Sequence, residues 1–316
     1  MQAQPHSPSY LKGALFGLAA VCIWASWSAI TRLAVTTNLG ASDIVALRFG
    51  VPGLLLLPVV VRHGLALDRL GWLGLAGIIA GNGAPYAFAA AEGLHYAPAY
   101  DAGALNPAMM PLFVALIAAT VLHEQPSRAR KLGLVLIVSG ALTLILSHTE
   151  PIGTMWSSSR TFGDGLFLLA SFLTAVFTVL TRRARLDPIH AVALLSTGSL
   201  VIWLPIYLST SASSLARIPV ADLAVQAVFQ GIVVTIVSLV FYVRSVAILG
   251  ASGGAAFGAL VPAFTAFIAI PLLEERPSDI GWVAIVLISA GVYLASGGPL
   301  PIVRCQSELF RLSSLF

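Results

Sequence analysis

The chain consists of long apolar stretches separated by short polar segments. No stretch shows the strict alternation of apolar and polar residues that marks a half-exposed β-strand, so the pattern favours helices. A helix needs about 20 mainly apolar residues to cross the hydrocarbon core of a bilayer. The pattern therefore predicts ten transmembrane helices, numbered in chain order, at residues 11–34, 42–61, 71–92, 98–122, 131–147, 163–183, 190–208, 222–248, 252–273 and 279–297.

The composition agrees with a membrane protein. Hydrophobic residues make up 58% of the 316 residues, charged residues make up 9%, and the mean hydropathy is +0.93. A soluble domain carries roughly 25% charged residues. This much apolar surface excludes a soluble enzyme, a nucleic-acid-binding protein and a disordered chain. The net charge of +4 is too small and dispersed for a phosphate-binding face, so the expected partner is the lipid bilayer and not nucleic acid.

Basic residues in the connections predict the orientation. If the N-terminus is cytoplasmic, twelve of the 17 Lys and Arg residues lie on the cytoplasmic side and one, Arg48, lies inside helix 2. The remaining four lie on the outer side: Arg32, Arg160, Arg217 and Arg276. The positive-inside rule then predicts a multi-pass membrane protein with both termini in the cytoplasm.

Two segments of the chain resemble each other. The segment PLFVALIAATVLHEQPS begins at Pro111, and PAFTAFIAIPLLEERPS begins at Pro262, at a constant offset of 262 − 111 = 151 residues. Each predicted repeat holds five helices, an odd number, so the second repeat enters the membrane inverted relative to the first. The loop after helix 4 is basic and the matching loop after helix 9 is acidic, as expected for opposite faces. Inverted repeats are typical of secondary transporters.

The repeat predicts the organisation of the chain. The predicted fold class is an all-α membrane protein whose ten transmembrane helices form two inverted five-helix repeats around a central cavity. The predicted parts are a cytoplasmic N-terminal tail at 1–10, a first repeat at 11–147, a periplasmic connector at 148–162, a second repeat at 163–297 and a cytoplasmic C-terminal tail at 298–316.

The pattern PxFxAxxAxxxLxExPS, followed by a glycine in the next helix, occurs in both repeats and resembles the EamA-type proteins of the drug/metabolite transporter superfamily. Arg48-Phe49 in helix 2 also fits that family, although its counterpart in the second repeat is Leu195. The resemblance implies an inner-membrane carrier, often an exporter of amino acids or other small metabolites. It also implies a cavity lined by helices 1–4 and 6–9. The aromatic amino-acid exporters are one branch that this chain could join.

Polar residues in the middle of the predicted helices are candidates for the substrate site, because such residues are costly inside a bilayer. Trp24 and Ser28 share one face of helix 1, and Thr178 occupies a similar position in helix 6. Each hydroxyl has a structural alternative, which is a hydrogen bond to its own helix or to a neighbouring one. We expect the substrate to be bound by Trp24, Ser28 and Thr178 together with residues of helices 3, 4, 8 and 9.

In those four helices, Gly and Pro interruptions coincide with polar residues. Such interruptions free backbone groups and point to transport sites in membrane proteins. Helix 3 contains the sequence GNGAPY from Gly81 to Tyr86, and helix 4 contains Asn106-Pro107. The remaining candidates for substrate binding are Asn82, Tyr86, Asn106, Thr235, Ser238, Tyr242 and Phe257. A satisfied helix–helix hydrogen bond is again the structural alternative for the polar ones.

Three charged residues lie at similar predicted depths. Arg48, Glu92 and Asp101 are each near the outer side, and a charge within the membrane needs a partner. We expect a gate or an ion pair among them, with Asp101 paired to Arg48. A purely structural pair that orients the helices is an equal alternative.

Other motifs carry less weight. The sequence GASGG at Gly250–Gly254 matches G-x-S-x-G, but none of the six His residues is predicted at the middle of a helix, so a serine hydrolase has no base. We therefore expect no catalytic residue. No Walker lysine and no Cys/His cluster occurs, so no cofactor and no metal are expected. A monomer accounts for the predicted cavity, and the sequence leaves the oligomeric state open.

The sequence therefore predicts a secondary transporter that exports small metabolites, with neutral and aromatic amino acids as the first candidates. Trp, Tyr, Asn and Thr side chains can enclose an apolar group and bind its polar end. A carrier of amines, drugs or compounds resembling nucleotide sugars is the main alternative. An intramembrane serine hydrolase is a distant one.

Overall fold

The computed structural model describes residues 8–121, 126–147, 159–210 and 219–297, and these contain helices but no strand. The predicted C-terminal tail and most of the predicted N-terminal tail and connector lie outside the described residues. A π-helical segment occupies Ala227–Val237 and a 3₁₀ turn occupies Phe257–Leu260. The α-helices are α1 (Pro8–Thr37), α2 (Ala41–Leu55), α3 (Leu57–His63), α4 (Leu67–Asn82), α5 (Ala84–Tyr96), α6 (Ala99–Val121), α7 (Arg128–Leu146), α8 (Ser159–Arg183), α9 (Pro188–Thr210), α10 (Val220–Gln226), α11 (Ser238–Ala256), α12 (Val261–Leu273) and α13 (Asp279–Ala295).

Most of the described helices are long and apolar enough to cross a membrane. Eight stretches meet this requirement: Tyr10–Thr37, Leu67–Tyr96, Ala99–Thr120, Arg128–Leu146, Ser159–Arg183, Pro188–Thr210, Val220–Gly250 and Gly253–Leu273. Helices α2 and α3 form a pair bent by 52° that would make a ninth span, and α13 is a shorter apolar helix of 17 residues. The protein is therefore a multi-pass membrane protein, and the number of ten spans stays a prediction.

The ends of the bundle can be distinguished by polar contacts. At one end, called end A, α1 and α5 terminate and α2, α6 and α8 begin. The loop after α12 also lies at end A, because Glu275 accepts hydrogen bonds from Arg32 of α1 and from the backbone N–H of Ala99. At the opposite end, called end B, His190 at the start of α9 lies 2.9 Å from the carbonyl of Gly64.

Most long helices pack against two or three others, and α7 packs mainly against one. Helix α1 packs against α11 and α12, and α8 packs against α4, α5 and α6. Helix α2 packs against α9 and the π-helical segment, and α9 also contacts α4. Helix α7 packs mainly against α13, where a Cβ added at Gly140 would lie 2.7 Å from Ile288 and one at Gly291 would lie 2.8 Å from Ile137. Glycine at these two positions allows the two helix backbones to approach closely.

Side chains of α9 form hydrogen bonds with backbone groups at or near two helix breaks in the bundle. The span formed by α4 and α5 breaks at Gly83, where the backbone adopts φ −97° and ψ −142°. Ser199 of α9 accepts a hydrogen bond from the N–H of Ala84 just after the break, at 2.9 Å. Thr197, also in α9, donates to the carbonyl of Gly53 at 3.1 Å, close to the bend between α2 and α3. Irregular backbone in a membrane protein requires such internal partners.

The π-helical segment lies within the apolar stretch Val220–Gly250, directly after α10. Its geometry is visible in Thr235, whose hydroxyl donates to the carbonyl of Gln230 five residues earlier, at 2.9 Å. π-helical turns are rare and frequently occur at functional sites. Here the segment brings Gln230 toward α1.

Candidate functional site

Polar and aromatic side chains from α1, α2, α5, α6, the π-helical segment and α11 meet inside the bundle. We call this group the central cluster, and its members are Trp24, Trp27, Arg48, Tyr86, Asn106, Gln230, Ser238 and Tyr242. Helix α1 provides two of the members, Trp24 and Trp27, which are three residues apart and therefore lie on one face of the helix. Trp24 contacts α11, and Trp27 contacts the π-helical segment.

Trp24 contacts α11. Its indole N–H donates to the hydroxyl of Ser238 at 3.1 Å, and its ring centre lies 5.4 Å from that of Tyr242. Ser238 in turn donates to the carbonyl of Val234. The structure thus brings together three residues that the sequence analysis selected independently in helices 1 and 8.

Trp27 contacts the π-helical segment. Its indole N–H donates to Gln230 Oε1 at 2.8 Å, and Gln230 Nε2 donates to the hydroxyl of Thr31 at 3.1 Å. Gln230 is completely buried and Trp27 is 5% exposed. Buried amides need partners, so this set of hydrogen bonds fixes the position of the π-helical segment against α1.

Arg48 lies among aromatic rings. Its guanidinium carbon is 5.0 Å from the ring centre of Trp27, 5.7 Å from that of Tyr86 and 5.8 Å from that of Phe49. Cations within about 6 Å of a ring face are attracted by its quadrupole. The Nε and Nη1 atoms of Arg48 are buried, and within the described chain they have no hydrogen-bond partner. Arg48 is seven residues beyond Ala41, about 10 Å along the axis of α2.

Tyr86 lies beside Arg48, and Asn106 contacts Tyr86. The side-chain amide of Asn106 donates to the hydroxyl of Tyr86 at 3.3 Å, linking α6 to α5. Asn106 is 8% exposed. Both residues were selected from the Gly and Pro interruptions, and the structure places them in contact. Helix α6 itself is continuous from Ala99 to Val121 despite Pro107 and Pro111.

The other sequence candidates have different surroundings. Ser28 is buried in α1 at 5% exposure, and Asn82 is the partly buried last residue of α4. The hydroxyls of Thr178 and Thr235 donate to carbonyls of their own helices, at 2.8 and 2.9 Å, which is the structural alternative considered for them. Phe257 packs on α1, where a Cβ added at Gly17 would lie 2.7 Å from its ring.

The expected pairing of Arg48 with Asp101 is wrong. Asp101 is completely buried and accepts two hydrogen bonds from Arg160 of α8, at 2.8 and 3.1 Å. Arg160 also donates to the hydroxyl of Tyr100 at 3.1 Å. Depth along the helices placed Arg48 and Asp101 together, but the lateral arrangement of the helices brings Arg160 closer. Glu92 is partly buried in α5, and no ion pair is found for it in the described part of the chain.

A second ion pair lies at end A. Arg32 Nε lies 2.9 Å from Glu275 Oε1, and the guanidinium also donates to the carbonyls of Leu94 and His95. Glu275 Oε2 accepts from the N–H of Ala99 at 2.7 Å. Helices α1, α5, α6 and the loop after α12 are therefore joined through two side chains.

Several of these residues were not among the sequence candidates for the site. Trp27 and Arg160 were not selected, and neither was Asp164, which is 1% exposed and lies near Asp101 and Arg160. Trp27 follows Trp24 by three residues, so the helical periodicity that selected Trp24 and Ser28 also carried a signal for Trp27. No sequence signal indicated that Arg160 would reach Asp101. In the described ranges, no group of His, Cys, Asp and Glu residues could hold a metal ion.

Membrane-length apolar helices that bury polar side chains from several helices are typical of membrane transport proteins. Comparison with known families gives the family: the model of the EamA-like transporter family matches residues 11–146 and, separately, residues 161–297. The chain belongs to the EamA-like transporter family, whose membership indicates a membrane transporter of small solutes. This confirms the family part of the predicted resemblance.

Comparison with solved structures supports the fold. One solved structure, described as "Crystal structure of protein", is 21% identical to this chain and superposes with a TM-score of 0.59. The match covers 90% of this chain and 96% of the other. At this level of identity the similarity shows the fold alone. No curated protein matches the chain.

Proposed function

We propose that this protein is a secondary transporter that exports small amphipathic metabolites by alternating access of two inverted five-helix repeats. Neutral and aromatic amino acids are the first candidates for its substrate. The observation that carries the proposal is the central cluster, because both segments that match the family contribute to it. The first provides Trp27, Arg48, Tyr86 and Asn106, and the second provides Gln230, Ser238 and Tyr242.

The helix contacts support the inverted repeat. In the proposed repeat, α8 is the counterpart of α1, and α5 and α6 are the counterparts of α11 and α12. Helix α1 packs against α11 and α12, and α8 packs against α5 and α6. Likewise α2 contacts the π-helical segment, and α9 contacts α4. Exchange of the two halves therefore reproduces these pairs of neighbours, as expected for a two-fold axis in the membrane plane.

Two reciprocal contacts support the same symmetry at the level of residues. Gly140 faces Ile288, and Gly291 faces Ile137. Each pair becomes the other when residues are exchanged at the offset of 151, since 137 + 151 = 288 and 140 + 151 = 291. A reciprocal contact of this kind is what a two-fold axis between α7 and α13 would produce.

The chemistry of the central cluster supports an amphipathic solute. Indole and phenol rings can cover an apolar group, and the amide and hydroxyl groups beside them can bind a polar end. The proposal includes ten membrane spans, cytoplasmic termini and the bacterial inner membrane, with end A on the periplasmic side. The basic connections support this orientation.

Two other functions are less well supported. A carrier of compounds resembling nucleotide sugars would need several basic groups for the phosphates, and the central cluster has only Arg48. An intramembrane hydrolase would need a His near Ser252. Of the six His residues, the three in the described ranges, His63, His95 and His190, lie near helix ends.

Transport by purified protein in proteoliposomes tests the proposal. Vesicles should take up or release labelled amino acids, amines and organic anions, and the neutral and aromatic amino acids should move fastest. Protein-free vesicles and vesicles with Asn106→Ala serve as controls. If none of these solutes moves faster than in protein-free vesicles, the transporter proposal is wrong.

A further inference from the structure

We infer that Arg48 binds the carboxylate of the transported solute, so that the substrates are organic acids or amino acids with one free carboxylate. The inference rests on the proposed function, and it narrows the substrate class. It excludes simple amines and neutral amides as good substrates.

Arg48 lacks a carboxylate partner within the described part of the chain. Two partly buried arginines at end A each have one: Arg32 pairs with Glu275 at 2.9 Å, and Arg160 pairs with Asp101 at 2.8 Å. Arg130, in the first turn of α7, also has a buried Nε without an acceptor, but it lies at a helix end and not in the central cluster. Arg48 forms no ion pair within the described ranges, and its Nε and Nη1 atoms are buried without an acceptor. A buried arginine that leaves donors unsatisfied costs stability and needs an explanation.

The aromatic rings stabilise the charge but leave the donors free. Trp27, Phe49 and Tyr86 place ring faces within 5.8 Å of the guanidinium carbon. A ring face attracts a cation through its quadrupole, but it is a poor substitute for an oxygen acceptor. The rings therefore hold Arg48 in place and leave its N–H groups available. A planar carboxylate is the acceptor that a guanidinium binds best.

Neighbouring groups fit an amino acid. The hydroxyl of Tyr86 accepts its hydrogen bond from Asn106 at 3.3 Å, and in the described structure its own hydrogen has no acceptor. That hydrogen can therefore be donated to a carboxylate. The carbonyl oxygen of Asn106 can accept a hydrogen bond from a solute ammonium. Donors for an anion and an acceptor for a cation thus lie next to one another.

The number of charges limits the substrate further. Arg48 is the one cation of the central cluster, and the cluster contains no Asp or Glu. One guanidinium matches one carboxylate, whereas a diphosphate would bring two or more negative charges into the membrane interior. The rings of Trp27 and Tyr86 then favour a solute with an apolar or aromatic body.

Matched pairs of solutes test this inference. Each pair differs in the carboxylate alone: phenylalanine with phenylalaninamide, leucine with leucinamide, and 3-phenylpropionate with 3-phenylpropionamide. Wild-type protein in proteoliposomes should transport the acid of each pair at least about tenfold faster than the amide, since a lost charged hydrogen bond has about this effect. Equal transport of acids and amides would overturn the inference while leaving the transporter proposal intact.

Variants assign the selectivity to Arg48. In Arg48→Gln the ratio of acid to amide transport should fall to about 1, and Arg48→Lys should keep part of it. Arg69→Gln is the matched control, because Arg69 is exposed near end B, and it should keep the wild-type ratio. The ratio is independent of how much protein is inserted. An unchanged ratio in Arg48→Gln would overturn the inference.

Equilibrium binding keeps the test separate from transport. The six probes are titrated into the detergent-solubilised wild-type protein, with intrinsic tryptophan fluorescence as the signal. Two of the six Trp residues of the chain, Trp24 and Trp27, lie in the central cluster. Tighter binding of the acids than of the amides supports the inference, and equal or weaker binding contradicts it. This readout decides whether the site prefers a carboxylate even if no solute crosses the membrane and the proposed function fails. If Arg48→Gln does not fold, the same titration of Arg48→Lys assigns the preference, because a changed ratio of acid to amide binding would implicate Arg48 and an unchanged ratio would contradict the inference.

Discussion

Arg32 and Glu275 lie 243 positions apart in the chain, and their side chains form an ion pair at 2.9 Å. The pair joins the first family segment to the second at end A. The other oxygen of Glu275 accepts a hydrogen bond from the N–H of Ala99, the first residue of α6. Side-chain exposures of 19% and 17% show that the pair is shielded from solvent. We infer that it stabilises the packing of the helices at end A.

The first prediction concerns this ion pair. Glu275→Gln removes the charge that Arg32 and the Ala99 N–H share, so the free energy of unfolding should fall by roughly 1–3 kcal/mol. The melting temperature of the purified protein measures the effect. Glu274→Gln is the matched control, because Glu274 is exposed and adjacent in the chain, and it should change little. Equal melting temperatures for both variants would mean that the ion pair does not stabilise end A.

The second prediction concerns the central cluster and Asn82. Asn106→Ala and Tyr86→Ala each remove the hydrogen bond between α5 and α6, and transport should fall roughly 5–10-fold in each. We expect Asn82→Ala to weaken transport as well, because Asn82 ends α4 at the helix break. Ser139→Ala in α7 is the control and should keep wild-type rates. The readout is flux per inserted protein, and equal losses in all four variants would indicate a role in packing alone.

The third prediction concerns the packing of α7 on α13. A methyl group at Gly291 would lie 2.7 Å from the carbonyl of Gly133, a backbone atom that cannot move aside easily. Gly291→Ala should therefore lower the free energy of unfolding by roughly 1–3 kcal/mol. Gly165→Ala is the matched control in α8, because nothing lies within 4 Å of its added Cβ, and it should be neutral or slightly stabilising. Thermal unfolding in detergent measures both, and a Gly291→Ala variant as stable as the wild type would contradict the close approach.

The fourth prediction concerns topology. Ser127 and Ser278 are aligned N-cap residues of α7 and α13, whose hydroxyls accept from Arg130 N–H and Gly281 N–H. In a background with Cys22 and Cys305 replaced by Ser, Ser127→Cys should react with a membrane-impermeant thiol reagent from the cytoplasmic side. Ser278→Cys should react from the periplasmic side. Labelling of both from one side would refute the inverted repeat.

The fifth prediction concerns energy coupling. The central cluster contains no Asp, Glu or His, and Asp101 is held by Arg160 at end A. We therefore expect movement of the solute down its own gradient, without an obligatory proton. Proteoliposomes under an imposed pH gradient should show no uphill accumulation. Uphill accumulation by the wild type would contradict this prediction, and its loss in Asp101→Asn or Asp164→Asn would assign the coupling to the carboxylates near Arg160.

The positions of the helices could largely be predicted from the sequence. Apolar runs long enough for a bilayer predicted helical segments that the structure contains, although α2–α3, α4–α5 and the segment from Val220 to Ala256 are interrupted. The interruption at Gly83 was indicated by the Gly and Pro residues around it. The π-helical segment had no sequence signal, because it depends on the contact of Gln230 with Trp27 and Thr31.

The candidate site could be predicted only in part. Trp24, Ser238 and Tyr242 were each selected as polar or aromatic residues inside predicted helices, and they lie together. The partner of Asp101 was predicted wrongly, since residue spacing reports depth along a helix but not which helix lies beside it. Arg160 comes from α8, more than fifty residues later in the chain.

By itself, the sequence determined the membrane environment, the positions of most helices and the two similar segments, because these follow from local apolar length and from repeated residues. The tertiary structure alone decided which polar groups meet. The lateral packing of α1, α2 and α5 surrounds Arg48 with rings, and the packing of α6 on α8 brings Asp101 within hydrogen-bonding distance of Arg160. Rotation and neighbour choice depend on side-chain packing between helices, which no single helix encodes.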